Sequence, residues 1–172
     1  MVLLRCRSAA ERLLIPAFVF FFAMLYPFRW SNDPRRATAA AAGGCVLLRR
    51  DACRRIGGLA AIRGALIDDC ALAKAVKASG GSIWLGLTGD TRSVRPYPGI
   101  GDVWRMVART AYAQLRYSPL LLAGTVLGLV VTYLAPVALV FAGGRAAWLA
   151  GAAWAAMTLA YLPMVRFYAL SP

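Results

Sequence analysis

Two long stretches without charge near the C-terminal end constrain this chain more than any other feature. Residues 117–144 are 28 consecutive uncharged positions, and residues 146–165 are another 20. A helix needs about 20 apolar residues to cross a hydrocarbon core of roughly 30 Å. The pattern therefore predicts two transmembrane helices, at about 120–142 and 146–165, which together form a membrane domain over residues 118–172.

The composition of the whole chain excludes several classes of protein. Of its 172 residues, 60% are hydrophobic and only 16% are charged, whereas a soluble domain is about 45–50% apolar. A disordered chain is excluded, because disorder requires low hydrophobicity. The chain contains no histidine, which excludes a Ser-His-Asp triad, a histidine-ligated zinc and a histidine general base within it.

A third apolar run, residues 13–28, is 16 residues long and covers only about 24 Å as a helix. Pro16 suits a first helical turn, and Pro27 is expected to end the helix. Residues 29–118 carry fifteen Lys and Arg against six Asp, so the positive-inside rule places this block in the cytosol. We interpret the run at 13–28 as an interfacial helix on the cytosolic face.

A second interfacial helix is predicted over residues 102–117. Arg105, Arg109 and Arg116 fall on one stripe, with Trp104 near the start of an apolar stripe beside it. A basic amphipathic helix that leads into a membrane span is typical of the headgroup layer of a bilayer. Anionic membrane lipids are therefore predicted partners, although a solvated basic face without a ligand explains the same pattern.

Between these helices, residues 37–100 are predicted to form a compact α/β piece, which belongs to a domain that spans residues 1–117 and includes both interfacial helices. Short apolar runs at 45–48 and 82–87 are typical of buried strands. Helical spacing begins after Asp68-Asp69 and ends at Gly80-Gly81. The four cysteines form no C-x-x-C pair, which argues against a zinc ribbon.

The pair Asp68-Asp69 is the only adjacent pair of acidic residues in the chain. Acidic residues are common at a helix N-terminus because they cap it and complement its dipole. A carboxylate at a strand-to-helix junction can also act as a general base towards a substrate hydroxyl. The spacing alone leaves both interpretations open.

Several longer motifs together resemble one enzyme family. They are RLLIPAFVFFF, YPFRW, NDPRR, AAAAGGC, IRGALIDDCALA and WRMVARTAYAQLRYSPLLLAGT. This wording resembles the second half of membrane-bound family 2 glycosyltransferases, most closely those associated with hopanoid biosynthesis, and it covers about residues 1–135. The resemblance implies a partial GT-A-like, Rossmann-related domain on the cytosolic face of a bacterial inner membrane, followed by a multi-pass membrane region.

The resemblance also implies roles for individual residues. The family's E-D-x-x-L motif corresponds to Asp68-Asp69-Cys70-Ala71-Leu72, so Asp69 takes the position of the catalytic base and Asp68 replaces the glutamate. The base deprotonates the hydroxyl of a lipid acceptor, which attacks a nucleotide-sugar with inversion. The donor-binding Q-x-x-R-W motif corresponds to residues 113–117, where Arg116 and Tyr117 match but Ala113 replaces the glutamine.

The resemblance further implies a divalent metal, Mg or Mn, for the full-length family. Its usual D-x-D ligand motif does not occur in this sequence. We therefore expect the chain to be a fragment that lacks the N-terminal nucleotide-binding half, has no metal ligand set of its own and is inactive in isolation. No feature indicates a nucleic-acid partner.

A second function remains open from the sequence. The fifteen basic residues in the block 29–118, beside two predicted spans, also fit a non-catalytic membrane protein that binds anionic lipid or a partner protein. Each basic residue near an anionic leaflet contributes about 1 kcal/mol to such binding.

Overall fold

The computed structural model describes residues 1–169 of the chain; residues 170–172, the end of the predicted membrane domain, lie outside that range. The chain separates into two compact units, Met1–Thr110 and Ala111–Pro172. In chain order the helices are α1 (Ala9–Leu25), α2 (Phe28–Asn32), α3 (Arg50–Arg55), α4 (Asp68–Ala78), α5 (Ile100–Gln114), α6 (Pro119–Ala142) and α7 (Gly144–Phe167). A 3-10 turn, Leu59–Ile62, separates α3 from α4.

The prediction of an α/β, Rossmann-related fold is wrong, because the described residues 1–169 contain helices but no strand or sheet. The apolar runs at 45–48 and 82–87 are irregular segments. Leu47 is 99% exposed and Trp84 is 81% exposed, so neither occupies the buried position that a sheet would provide. A short apolar run specifies a strand only where another strand pairs with its backbone.

Other groups bind the backbone of the segment predicted as the second strand. The side-chain amide of Asn32 donates from Nδ2 to the Leu85 carbonyl at 2.9 Å, and its Oδ1 accepts from the Leu85 N–H at 2.6 Å. Further along, Leu3 forms an isolated parallel bridge with Arg92. These contacts satisfy buried backbone groups without a continuous ladder.

Helix α1 begins earlier than the predicted interfacial helix because of its N-terminal cap. The Ser8 hydroxyl accepts the Glu11 N–H at 3.1 Å, and the Glu11 carboxylate accepts the Ser8 N–H at 2.9 Å. This reciprocal pair is a capping box, which satisfies two of the free N–H groups at a helix start. Pro16 consequently lies inside the helix rather than in its first turn.

Unit Met1–Thr110 has a small core that contains one charged side chain. Ile15 and Val19 of α1 are fully buried, and Val76 of α4 is only 5% exposed. Glu11 is only 1% exposed, and its Oε1 accepts the N–H of Tyr97 at 2.7 Å. Glu11 therefore fixes the loop before α5 to the beginning of α1.

Unit Ala111–Pro172 contains two helices that are long and apolar enough to cross a membrane. Helices α6 and α7 have 24 residues each, or about 36 Å at 1.5 Å per residue, and the predicted spans at 120–142 and 146–165 lie within them. A π-helical turn, Val130–Leu134, precedes Pro136. A wider turn accommodates the missing N–H and the bulky ring of a proline.

The connection between α6 and α7 requires glycine. Gly143 and Gly144 have φ values of 74° and 61°, a left-handed region that residues with a Cβ rarely adopt. The chain reverses within these two residues.

Candidate functional site

The two predicted catalytic carboxylates lie together in the first turn of α4. The residue before the helix, Ile67, offers no side-chain cap. Asp68 is exposed and its Oδ1 accepts the N–H of Asp69 at 3.0 Å. Both carboxylates thus complement the N-terminal end of the helix dipole, as expected for acidic residues at a helix start.

Asp69 has additional contacts that go beyond capping. Its Oδ1 accepts the N–H of Cys70 at 2.7 Å, and its Oδ2 accepts the N–H of Gly43, 26 positions away, at 2.8 Å. The side chain is partly buried. Since each carboxylate oxygen has two acceptor sites, Asp69 is held in one orientation and can still accept a hydrogen bond from a ligand hydroxyl.

Cys70 is unsuited to act as a nucleophile at this site. Burial raises the pKa of its thiol, and the thiol donates to the Ala41 carbonyl, with Sγ and O 3.8 Å apart. The thiol, rather than the reactive thiolate, is therefore the stable form. This leaves the two carboxylates, Asp68 and Asp69, as the side chains in this turn that can accept a proton.

An open groove of about 910 Å³ lies beside this turn in unit Met1–Thr110. Its walls include apolar side chains from α4 and from the segments that precede α3 and follow α4, namely Leu72, Ala73, Val76, Leu48 and Leu85. The groove reaches Ala41 and Ala42, next to Gly43, whose N–H binds Asp69. Asp69 does not line the groove itself; it is connected to the groove wall through its hydrogen bond with Gly43. A volume of this size accommodates a small apolar molecule.

The two predicted donor-binding residues, Arg116 and Tyr117, follow α5 and belong to unit Ala111–Pro172. Their φ values are 54° and 58°, which costs roughly 1–2 kcal/mol for each residue with a side chain. The Tyr117 ring contacts the Tyr112 ring edge-on, with 5.5 Å between centroids. Arg116 is exposed and forms no ion pair with any of residues 1–169. Strained backbone of this kind often accompanies a binding site.

The described residues do not fit a resident divalent metal. Within residues 1–169, no group of three or more Cys, Asp or Glu side chains lies close enough to hold an ion. Asp68 and Asp69 instead accept hydrogen bonds from backbone N–H groups.

The sequence patterns did not single out two groups that shape this unit. The capping role of Glu11 could have been predicted, because Ser8-Ala9-Ala10-Glu11 matches the S-x-x-E capping signature. The contact between Gly43 and Asp69 had no local signal, since it joins residues far apart in the chain.

Comparison with known proteins identifies the family. The family model of glycosyl transferase family 21 matches residues 21–171, nearly the whole chain. No curated protein and no solved structure matches the sequence. The match confirms the prediction of a glycosyltransferase, and it names family 21 where the motifs suggested family 2. The matched range includes the carboxylate pair in α4, the Arg116-Tyr117 turn and both long apolar helices. This chain therefore belongs to glycosyl transferase family 21.

Proposed function

We propose that the chain takes part in the inverting transfer of a sugar from a nucleotide-sugar to the hydroxyl of a membrane lipid, with Asp69 as the general base. One observation carries this proposal. The Asp69 carboxylate is oriented by two backbone N–H groups, from Gly43 and Cys70, beside an apolar groove. A fixed carboxylate next to an apolar cavity suits an acceptor whose body is apolar and whose reactive end is a hydroxyl.

The proposed reaction is a single displacement. Asp69 takes the proton of the acceptor hydroxyl as its oxygen bonds to the anomeric carbon of the sugar. The bond between that carbon and the diphosphate breaks at the opposite face, and the nucleoside diphosphate leaves with the bonding electrons. Attack from one face with departure from the other inverts the anomeric centre. The role of Asp68 is to position Asp69 through the hydrogen bond to its backbone N–H.

The lipid nature of the acceptor is supported by the groove and by the long helices. Leu72, Val76 and Leu85 form apolar walls, which favour hydrocarbon over a polar sugar acceptor. The resemblance to glycosyltransferases of hopanoid biosynthesis favours a hopanoid-related lipid as that acceptor. The groove volume of about 910 Å³ lies within the range of cavities that bind small molecules.

The proposed donor contact is the pair Arg116-Tyr117. Arginine binds phosphate through charge-assisted and often bidentate hydrogen bonds, and the Arg116 guanidinium has no ion-pair partner within the described residues that would compete. Tyr117 offers an exposed ring beside it. We infer that these two residues bind the diphosphate and the adjoining part of the nucleotide-sugar. For the divalent metal that the resemblance implies for the full-length family, the described residues provide no cluster of three ligating side chains.

The proposed location is the cytosolic face of a bacterial inner membrane, with both α6 and α7 as spans. The excess of Lys and Arg in residues 29–118 supports this orientation. Reporter tags in the loop near Thr91 and after the last residue should then report from the same side. Reports from opposite sides would contradict a two-span hairpin.

Sugar transfer can be tested in membranes of the native cell with the gene altered in place. The membranes are incubated with a panel of radiolabelled UDP-sugars, and label is counted in the extracted lipid. Asp69→Asn keeps an oxygen that can accept the Gly43 N–H but removes the base, so transfer should fall at least about 100-fold.

The matched control is Asp90→Asn, which removes the same charge from an exposed carboxylate far along the chain. Its rate should equal that of the wild type. A rate for Asp69→Asn close to that of Asp90→Asn would remove Asp69 from the mechanism. Lipid labelling that persists when the gene is deleted would assign the transfer to another protein.

A further inference from the structure

A second cavity lies around α2, apart from the groove beside Asp69. It is an open pocket of about 610 Å³, and its lining residues are Arg29, Trp30, Asn32, Asp33, Arg35 and Arg36. Three of these six side chains carry a positive charge and one carries a negative charge. The pocket therefore has a surplus of two positive charges and no assigned role in sugar transfer.

The guanidinium groups of the pocket differ in how far they are already paired. Arg35 binds Asp33 in a bidentate manner, with Nε–Oδ1 and Nη2–Oδ2 distances of 3.1 Å. Arg36 lies 3.8 Å from Asp33 and stacks over the Trp30 ring at 4.9 Å. Hydrogen bonds from Arg35 lower the pKa of Asp33 to about 2. Arg29 has no ion-pair partner within residues 1–169, so its donors are available to a ligand.

Hydrogen bonds from α4 and from the segment after it hold the stretch of chain that carries these side chains. The Lys77 ammonium donates to the carbonyls of Ser31, Asp33 and Thr38 at 2.9, 2.8 and 2.7 Å. The Asn32 amide binds the Leu85 backbone in both directions. Because three backbone carbonyls and the Asn32 side chain are held in place, binding of a ligand mainly has to order the arginine side chains.

The surroundings of the pocket are those of a membrane surface. The last turns of α1 expose Phe21, Met24 and Leu25. Phe28 of α2 continues this apolar region, with its ring 6.4 Å from that of Phe22, and Trp30 follows. Exposed apolar side chains next to tryptophan and arginine are the combination found where hydrocarbon meets headgroups at the edge of a bilayer.

We propose that this pocket binds the phosphate of an anionic lipid headgroup, with Arg29 and Arg36 as its donors and Trp30 beside the glycerol. The proposal rests on the membrane location proposed above, but it does not depend on sugar transfer. Asp33 opposes the ligand by its charge and by occupying Arg35. Loss of the Asp33 charge should therefore strengthen binding, whereas loss of either arginine should weaken it.

The test counts bound lipid on the intact protein. The full chain is purified in an uncharged detergent and titrated with phosphatidylglycerol or phosphatidylcholine, and bound lipids are resolved by native mass spectrometry. Arg29→Gln and Arg36→Gln should each weaken phosphatidylglycerol binding at least about tenfold, because a charge-assisted hydrogen bond contributes roughly 1.5–3 kcal/mol. Asp33→Asn should strengthen it several-fold. Phosphatidylcholine, whose phosphate is neutralised by choline, should bind weakly to every variant.

The control is Arg54→Gln, which removes an exposed arginine of α3 outside the pocket; it should change the affinity less than twofold. Equal losses in the Arg29, Arg36 and Arg54 variants, or equal binding of the two lipids, would overturn the proposal. A parallel titration with inorganic pyrophosphate separates the two sources of phosphate. If the pocket variants weaken pyrophosphate binding and leave phosphatidylglycerol binding unchanged, the lipid assignment is wrong. None of these readings depends on the role of Asp69.

Discussion

The buried carboxylate of Glu11 leads to a quantitative prediction about the stability of unit Met1–Thr110. Its Oε2 accepts the N–H groups of Arg7 at 2.8 Å and Ser8 at 2.9 Å, and its Oε1 accepts that of Tyr97 at 2.7 Å. One side chain thus satisfies three backbone donors, of which one lies 86 positions away. Glu11→Gln preserves the shape of this group and changes its hydrogen-bonding character.

The cost of this substitution follows from the three contacts. A glutamine amide accepts through only one of its two terminal atoms, so at least one of the three N–H groups must face another donor. An unsatisfied buried N–H costs about 1–3 kcal/mol, and a hydrogen bond to a charged group contributes about 1.5–3 kcal/mol. We expect Glu11→Gln to lower the free energy of unfolding by about 2–4 kcal/mol.

The same contacts predict how the effect depends on pH. Burial acts to raise the pKa of Glu11, but the hydrogen bonds from Tyr97, Ser8 and Arg7, with the charge of Arg5, outweigh it and lower the pKa from its ordinary 4.5 to about 2. A carboxylate with a depressed pKa stabilises the fold above pH 4.5, and that contribution is lost as the pH falls towards 2. The difference between wild type and Glu11→Gln should therefore shrink below about pH 4.

The measurement is urea unfolding of the full chain in uncharged detergent micelles, followed by tryptophan fluorescence at several pH values. Hydrogen exchange of the peptide that contains Tyr97 localises the effect, because this amide should lose its protection. Asp90→Asn is the control for loss of a negative charge, and an exposed substitution of this kind should stay within about 0.5 kcal/mol of the wild type.

Two results would refute the reasoning about Glu11. The first is a Glu11→Gln variant as stable as Asp90→Asn, which would mean that water or a shift of the backbone satisfies the three donors. The second is a difference from wild type that grows as the pH falls below 4, because protonation of Glu11 can only remove its advantage.

Three further substitutions test other parts of the structure. Lys77→Met removes the ammonium that binds three carbonyls and should lower the free energy of unfolding in urea by about 3 kcal/mol. Gly81→Ala would place a Cβ 2.8 Å from Cγ1 and 2.9 Å from the carbonyl oxygen of Val76 and should cost about 1–3 kcal/mol, whereas Gly89→Ala meets nothing within 4 Å and should be neutral in the same titration. Arg116→Gly relieves a left-handed φ and should raise stability by about 1 kcal/mol, while it lowers sugar transfer to lipid in membranes of the native cell.

The carboxylate pair in α4 shows which features of the site could be predicted from the neighbouring residues in the sequence. Its place at a helix start was predicted from the residue types alone, because acidic side chains complement the N-terminal dipole. The hydrogen bond from Gly43 that orients Asp69 was not predictable, since no local pattern links positions so distant in the chain. Whether the pair is catalytic stays a prediction that the Asp69→Asn experiment decides.

The predicted strands show the opposite case, in which a local signal misled. The runs at 45–48 and 82–87 have the composition of buried strands, but strand formation depends on a partner backbone elsewhere in the chain. In the described structure, the Asn32 side chain binds the Leu85 backbone instead. A side chain that replaces a strand partner leaves no periodic trace in the sequence.

By itself, the sequence determined the apolar lengths of α6 and α7, the capping box of α1 and the position of the acidic pair, because each depends on residues within a few turns of one another. Only the tertiary structure decided that residues 1–169 form helices without a sheet, that the buried Glu11 binds the N–H of Tyr97, and that Lys77 binds the backbone of the segment that lines the arginine pocket. Those outcomes depend on contacts between segments distant in the chain, where burial and the pairing of buried polar groups outweigh local preference.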